Sequence, residues 1–271
     1  MNPWLATLQW YADIGVDEAI AETPWNRFAT PAAAAAAPAA KPTAEPVAAS
    51  GPNPKPAPRP SAAPTAPGIV GAALEKELAA IGDLQSLRAR LDAFEGCALK
   101  ATATNTVFGT GPADAELMIV GEAPGAEEDR QGEPFVGASG QLLDLMLAAI
   151  GRKRADAYIT NALYWRPPGN RTPTPAEIQA CLPFLRRQIA IVQPRVLLLV
   201  GGAAAKTMLE RTEGIMRLRG RWFEYPVGEG LPPIPALATF HPAYLLRSPA
   251  QKRETWRDLL ALQNRLDLPS R

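Results

Sequence analysis

Four carboxylates crowd the eight positions from 122 to 129, and an aromatic residue, Phe135, follows before Gly137. The carboxylates are Glu122, Glu127, Glu128 and Asp129. The segment follows the apolar run Leu117–Val120, which predicts a short buried strand. Because ligands of open α/β sheets bind at the carboxyl ends of strands, the sequence predicts a binding site in this acidic loop.

A second candidate is His241, the single histidine of the chain, which ends another predicted strand. A neutral imidazole there can donate a hydrogen bond to a developing oxyanion, and a protonated one can neutralise it. A purely structural role is the alternative. The segment that follows, from Pro242 to Arg247, is apolar and then basic, which favours a loop and a role for His241 in a site.

Asn161 lies near the end of a third predicted strand. Its amide offers one acceptor and two donors, enough to recognise the edge of a nucleic-acid base, although a backbone-capping role stays open. Phe135 can stack on a flat ligand, and the alternative is an ordinary core position. The three strand ends together predict one pocket.

The elements that must position these residues alternate between strands and helices. Strands are predicted at 117–120, 157–163, 195–200, 222–225 and 234–240, and helices at 72–94 with a break at Gly82, 139–150, 175–192, 201–210 and 250–266. Thr174, Pro175 and Glu177 form a capping box with proline at the first helical position. This order predicts a three-layer α/β/α sandwich with a mostly parallel central sheet.

Composition divides the chain into three parts. Residues 29–71 are almost entirely Ala, Pro, Ser, Thr and Lys, so they cannot bury enough apolar surface to order themselves and are predicted to be a disordered linker. Residues 1–28 have apolar side chains at helical spacing and are predicted to form a helical arm, which would either pack on the domain or bind a protein partner. Residues 72–267 are long enough for a single core.

The net charge of +1 does not by itself indicate a nucleic-acid partner. Local arginine clusters are either a DNA-binding face or ordinary solvated charges. They are Arg152–Arg154, Arg166 with Arg171, Arg217–Arg221, and Arg247 with Lys252 and Arg253. No apolar stretch reaches the roughly 18–20 residues of a membrane helix. The N-terminus lacks a basic n-region and Asp13 and Asp17 come early, so we expect no signal peptide. With two distant cysteines and no disulfide framework, we expect a cytoplasmic monomer.

Three ordered motifs carry a family resemblance. They are GEAPG-x2-ED-x2-G-x-PFVG-x-SG-x-LLD, then YITN-x4-RPPGNRTP, then HPAYLLR-x-P. With these intervals the chain resembles the family 4 uracil-DNA glycosylases from about Leu84 to Leu266. The resemblance implies a uracil-DNA glycosylase-like domain that hydrolyses the N-glycosidic bond of deoxyuridine in DNA and leaves an abasic site. The base must leave the stack to be reached.

The resemblance also implies roles for the candidate residues. Phe135 would stack on the extruded uracil, Asn161 would bind its Watson–Crick edge, and His241 would bind a uracil carbonyl and stabilise the departing anion. Glu122 would orient water or stabilise positive charge on the sugar. Glu128 would lie near C5 of the base and help to exclude the methyl group of thymine.

The remaining base contacts implied by the resemblance come from the backbone. The N–H groups around Ala123 and Gly125 would contact the base. Ala123 stands where some related glycosylases have an aspartate, so that carboxylate is absent here. No lysine lies in the three motifs, and no covalent intermediate is therefore implied.

The third motif would meet the DNA. The segment from Pro242 to Arg247, including Tyr244, would press into the duplex, with Leu245 or Leu246 as the wedge. Three arginines would bind phosphates. They are Arg166, Arg171 and Arg247.

Family 4 enzymes carry a [4Fe–4S] cluster held by C-x2-C and, later, C-x15-C, and this chain keeps the spacing without the full ligand set. The four positions are Phe94, Cys97, Trp165 and Cys181. Since such clusters are normally held by four thiolates, we expect no intact cluster. The two aromatic rings would fill the vacated volume, and the two thiols would become buried core residues.

Two other functions stay open at this point. The domain can be a DNA- or replication-associated binding protein that has lost catalysis, although the retained Glu122, Phe135, Asn161 and His241 argue against it. A nucleotide-binding α/β domain is disfavoured, because the chain lacks G-x-G-x-x-G and Walker spacing.

Overall fold

The structure, a computed structural model, describes residues 67–228 and 230–269. The predicted arm at 1–28 and most of the predicted linker at 29–71 lie outside the described residues. The first helix begins at Pro67, a few residues before the domain boundary expected at 72.

A five-stranded sheet forms the centre of the domain. Its strands are β1 (Leu117–Gly121), β2 (Ala157–Asn161), β3 (Val196–Val200), β4 (Trp222–Tyr225) and β5 (Ile234–Thr239). They lie in the order β2-β1-β3-β5-β4, and all neighbours are parallel except the edge pair of β4 and β5. Every residue of β1, β2 and β3 is buried, as expected for central parallel strands covered on both faces. The predicted mostly parallel sheet is confirmed.

Nine helices accompany the sheet in the described residues. They are α1 (Pro67–Ala79), α2 (Leu84–Asp92), α3 (Ala126–Gln131), α4 (Ala138–Ala149), α5 (Pro175–Val192), α6 (Gly202–Leu209), α7 (Ile215–Leu218), α8 (Pro242–Arg247) and α9 (Lys252–Asp267). None of these helices is long and apolar enough to cross a membrane.

The two faces of the sheet carry separate apolar clusters, because successive strand residues point to opposite sides. In β1, Met118 and Val120 join the cluster covered by α1, α2, α5 and α6, whereas Leu117 and Ile119 join the cluster covered by α4 and α9. The sheet is thus the middle of three layers, which confirms the predicted α/β/α sandwich.

The strongest local signals of the sequence are found where they were predicted. Thr174 caps α5: its hydroxyl accepts from the backbone N–H of Glu177 at 3.3 Å, and its own N–H donates to the Glu177 carboxylate at 2.7 Å. The break near Gly82 separates α1 from α2, whose N-cap Asp83 accepts from the N–H of Ser86 at 2.8 Å.

Two segments predicted as loops contain short helices. The acidic segment holds α3, and the segment after His241 holds α8. Each has six residues, too few for an apolar period to be recognised in the sequence. Pro242 occupies the first position of α8, where its missing N–H leaves no hydrogen bond unmade.

Candidate active site

A cavity of about 470 Å³ opens at the carboxyl ends of the parallel strands. The segments that follow β1, β2 and β5 all contribute to its wall. The lining residues are Glu122, Ala123, Pro124, Gly125, Glu128, Phe135, Ser139, Asn161, Pro167, Asn170, Arg171, Pro173, His241, Ala243, Tyr244 and Arg247. The three strand-end candidates Phe135, Asn161 and His241 therefore meet at one site, as their positions in the sequence predict.

Parallel pairing of β1 with β2 places Asn161 directly opposite Gly121. Pairing continues past the strand ends. The N–H of Ala162 donates to the backbone carbonyl of Gly121 at 2.9 Å, and the N–H of Leu163 donates to the backbone carbonyl of Glu122 at 3.0 Å. Asn161 is buried, so its amide is held at a fixed place in the cavity wall.

Gly121 leaves the space that Asn161 and Phe135 occupy. A Cβ at this position would lie 2.3 Å from Oδ1 of Asn161 and 2.7 Å from Cζ of Phe135. The phenyl ring is also close to the imidazole of His241, with ring centroids 5.7 Å apart and planes inclined by 28°. A glycine at the end of β1 thus lets the amide, phenyl and imidazole side chains form one wall.

His241 is the N-cap of α8, and its Nδ1 accepts a hydrogen bond from the N–H of Ala243 at 3.1 Å. In a neutral ring the proton therefore lies on Nε2, which is left as a donor. Burial lowers the pKa of His241 to about 4, with a further contribution from the nearby positive charge of Arg247. The imidazole is neutral at pH 7.

A buried polar network anchors the strand end that carries His241. The hydroxyl of Thr239 donates to Asp258 of α9 at 2.8 Å. Arg219 donates to both Asp258 and Glu254, and its guanidinium lies 5.3 Å from the centroid of the Phe240 ring. This network was not predicted from the sequence. The signal that could have indicated it is Asp258, a charged residue on the apolar face of a helix.

Three of the four clustered carboxylates have partners within the segment or beside it. Glu127 pairs with Arg130 on α3. Asp129 is buried and accepts from the N–H of Thr104 at 2.8 Å and of Asn105 at 3.3 Å. These two carboxylates hold the segment in place and do not line the cavity.

Glu128 lines the cavity, but both of its carboxylate oxygens accept backbone hydrogen bonds. The donors are the N–H groups of Gly125 at 3.1 Å, Val136 at 3.0 Å and Gly137 at 3.1 Å. Glu128 thereby ties the start of the acidic segment to its end, a role that the sequence did not indicate. That it excludes the methyl group of thymine stays a prediction.

Glu122 is the carboxylate left for chemistry. It is partly buried at the cavity wall, and burial raises the pKa of its carboxyl group above the ordinary value. In the part of the chain that the structure describes, no cation lies near enough to oppose this shift. A weakly solvated carboxylate of this kind can orient water or stabilise developing positive charge.

The expectation that Leu245 is one of two candidate wedges is wrong, because this side chain is 1% exposed and packs in the core beneath α8. Pro242 is buried too, as the first residue of the helix. Leu246 is 45% exposed and faces away from the core. A side chain that already fills the core cannot also enter a duplex, so Leu246 is the remaining candidate.

The three predicted phosphate-binding arginines differ in their surroundings. Arg247 lines the cavity and is exposed. Arg171 also lines it but is paired with Glu177, donating at 2.9 Å, and this pair lowers the pKa of Glu177 to about 2. Arg166 does not line the cavity and donates to the amide oxygen of Asn170 at 2.8 Å.

The four positions that would hold a cluster do not supply a cluster's ligands. Cys97 and Cys181 are both buried, and both are free thiols. The Phe94 ring packs 5.1 Å from that of Phe184, and Trp165 is buried with its indole N–H donating to Thr106. Among the described residues, no group of three or more His, Cys, Asp or Glu side chains is placed to hold a metal ion.

Fold and site together define an α/β/α domain whose polar pocket lies at the ends of β1, β2 and β5. Residues 108–260, more than half of the chain, match the family described as the uracil DNA glycosylase superfamily. The chain belongs to this superfamily and, by its relatives, to the type-4 branch.

Three relatives support that placement. The type-4 uracil-DNA glycosylase of Pyrobaculum aerophilum is 41% identical over 181 residues, which are 65% of this chain and 91% of the relative. The type-4 enzyme of Archaeoglobus fulgidus is 45% identical over 163 residues, 58% of this chain and 80% of the relative. That of Thermotoga maritima is 42% identical over 153 residues, 56% of this chain and 77% of the relative.

The contacts of Gly121 generate a stability prediction. We expect Gly121→Ala to destabilise the domain by about 1–3 kcal/mol, because the new methyl group displaces buried Asn161 and Phe135. Denaturant unfolding followed by circular dichroism measures the change. Gly82→Ala is the matched control, since a Cβ there meets nothing within 4 Å. Equal stability of the two variants would contradict the close packing at Gly121.

Proposed function

We propose that this enzyme hydrolyses the N-glycosidic bond of uracil in DNA and leaves an abasic site. The observation that carries the proposal is the meeting of Asn161, His241, Phe135 and Glu122 at one cavity in a member of the uracil-DNA glycosylase superfamily. A base that is stacked inside a duplex cannot reach side chains within this cavity, so the base must leave the stack to enter it.

Recognition of uracil rests on the pair Asn161 and Phe135. The amide of Asn161 donates to a uracil carbonyl and accepts from the adjacent ring N–H, an arrangement that cytosine reverses. Because Asn161 is buried and held opposite Gly121, its backbone position is fixed, and discrimination against cytosine depends on the orientation of its amide. Phe135 provides an apolar surface against which the base stacks.

Departure of the base rests on His241. When the bond between C1′ of the sugar and N1 of uracil breaks, both electrons leave with uracil, and negative charge develops on N1 and the adjacent carbonyl oxygen. The Nε2–H of neutral His241 donates to that oxygen. The hydrogen bond from Ala243 to Nδ1 keeps the required tautomer, so the donor is in place before the reaction begins.

Glu122 acts on the attacking water or on the sugar. Its carboxylate either orients the water whose oxygen bonds to C1′ or stabilises the positive charge that develops on the sugar. The water loses one proton in the course of the reaction, and the uracil anion gains one. No covalent bond between enzyme and sugar is required.

The rim of the cavity engages the DNA. Leu246 at the exposed face of α8 fills the gap left by the extruded nucleotide, and Tyr244 lies beside it at the cavity edge. Arg247 binds a phosphate directly. Arg166 and Arg171 bind phosphates only if they release Asn170 and Glu177 respectively.

Cleavage of a defined oligonucleotide tests the proposal. Duplex and single-stranded DNA carrying one uracil is incubated with the enzyme and then with alkali, which breaks the strand at an abasic site. Strand breakage at the uracil position is expected. Binding without breakage on both substrates would instead support a binding protein that has lost catalysis. Hypoxanthine and xanthine opposite each base define the range of lesions.

Removal of the His241 imidazole or of the Asn161 amide is expected to abolish most of the glycosylase activity. His241→Ala and Asn161→Ala each lower the single-turnover rate constant by roughly 10²–10³-fold, the usual effect of losing a hydrogen-bond donor aimed at developing charge or at the base. Asn264→Ala, which removes an exposed amide from α9, is the control for the loss of an amide. Near-normal rates in both site variants, with normal unfolding curves, would show that the roles are misassigned.

The lowered pKa of His241 predicts a flat pH profile near neutrality. A histidine with an ordinary pKa of about 6.5 would change charge in that range. At a pKa of about 4, His241 stays neutral between pH 6 and 8, so its own titration lowers the rate only in acid, where protonation of Nδ1 disrupts the cap to Ala243. Single-turnover rates at constant ionic strength measure this. An inflection near pH 6.5 that disappears in His241→Ala would contradict the assignment.

The domain is proposed to fold and act without an iron–sulfur cluster. Two of the four ligand positions hold side chains that cannot bind iron, and the remaining two thiols are buried in the core. Protein purified anaerobically is expected to show no absorbance band near 400 nm and no stoichiometric iron. Such a band, together with iron at the level of a complete cluster, would contradict the proposal.

A further inference from the structure

The basic cluster Arg152–Arg154 is not used by the proposed function, and its three members have different surroundings. Arg152 pairs with Asp267 at 2.8 Å. Lys153 is exposed. The side chain of Arg154, in the turn before β2, is only 27% exposed and is directed toward the segment that carries Phe135. Arg154 is therefore not an ordinary solvated charge.

The guanidinium of Arg154 is hydrogen-bonded to two successive backbone carbonyls. Its Nη1 donates to the carbonyl of Phe135 at 3.0 Å and to Asp144 of α4 at 3.1 Å, and its Nη2 donates to the carbonyl of Pro134. Only a planar guanidinium offers several donors in such a fixed arrangement. Asp144 fixes the guanidinium from the other side.

The residue held in this way has an unusual backbone. Phe135 has φ of 54°, a left-handed conformation that a large side chain rarely adopts. The carbonyl of Phe135 also approaches Gly140 so closely that a Cβ there would lie 1.7 Å from it. Such a conformation persists only where the surroundings fix it, and strain of this kind concentrates at functional sites.

The backbone conformation decides where the phenyl ring lies. Phe135 is 5% exposed, and its ring sits between Gly121 and His241 in the cavity wall. With an ordinary negative φ at Phe135, the Cα–Cβ bond would point in a different direction. The ring would then no longer lie between Gly121 and His241 in the cavity wall.

We propose that Arg154 is a positioning residue, which holds Phe135 in its left-handed conformation so that the ring presents its face to the extruded base. The proposal rests on the proposed function, because it gives Arg154 an effect on base binding through Phe135. Arg154, although it belongs to a basic cluster, therefore binds the protein's own backbone and not a DNA phosphate.

The test compares Arg154→Ala with Lys153→Ala, a neighbouring change that removes the same charge from an exposed position. We expect Arg154→Ala to lower the single-turnover rate of uracil excision by about 10–100-fold, the scale of a small misplacement at a reacting site. Lys153→Ala is expected to match the wild type. Arg154→Lys, which keeps the charge but not the fork of donors, is expected to lie between them.

Two further readouts separate positioning from a phosphate contact. Free uracil inhibits an enzyme whose base pocket is intact, and we expect its inhibition constant to rise at least 10-fold in Arg154→Ala. The salt dependence of binding to abasic DNA is expected to stay unchanged. Loss of a phosphate contact would instead reduce the slope of log K against log salt by about 0.9 and leave uracil inhibition intact, which would overturn the proposal.

Thermal unfolding accompanies each measurement. If Arg154→Ala does not fold, Arg154→Lys and Asp144→Asn are compared with the wild type in the same assays. Both weaken the hydrogen bonds that hold the guanidinium against the carbonyls of Pro134 and Phe135, while a basic side chain stays at position 154. Normal uracil inhibition and normal rates in the folded variants would overturn the proposal. If the wild type does not excise uracil, the proposed function is overturned. If the wild type and the variants excise uracil equally well, only the positioning role of Arg154 is overturned.

Discussion

The site depends on the register of four parallel strands. Pairing of β1 with β2 sets Gly121 opposite Asn161, and pairing of β3 with β5 sets Val200 opposite Thr239, two residues before His241. A shift by one residue would turn every strand side chain to the other face of the sheet and disrupt the packing of both apolar clusters. The core that stabilises the domain therefore also fixes where the amide and the imidazole stand.

Close packing at the strand ends gives the cavity its chemistry. Gly121 lets an amide and a phenyl ring approach the backbone, and Gly201 does the same for His241, whose Cβ lies 3.1 Å from where a Cβ at position 201 would be. The resulting burial keeps the imidazole neutral and raises the pKa of the Glu122 carboxyl. One physical cause, exclusion of water from the strand ends, thus adjusts both groups that would act on the glycosidic bond.

Local patterns were sufficient to predict the strands, the capped helix α5 and the three segments that line the cavity, because apolar runs and caps depend on neighbours in sequence. The partners of individual charges were not predictable, since they are set by tertiary packing. Glu128 was expected to lie near the base, and Arg154 belonged to a cluster expected to be a DNA-binding face or solvated charges. In the structure Glu128 ties the acidic segment together, and Arg154 is hydrogen-bonded to the backbone at Phe135. Likewise, α8 was expected to be a loop, and only the fold shows that Leu245 is buried.

The central claim is that the three strand ends form one pocket for an extruded uracil. A crystal structure with duplex DNA that carries 2′-fluoro-2′-deoxyuridine, whose glycosidic bond resists hydrolysis, tests it most directly. We expect the uracil ring to lie against Phe135, its Watson–Crick edge to bind the amide of Asn161, and a carbonyl oxygen to face Nε2 of His241. A uracil that stays stacked in the duplex, or that binds away from these three side chains, would contradict it.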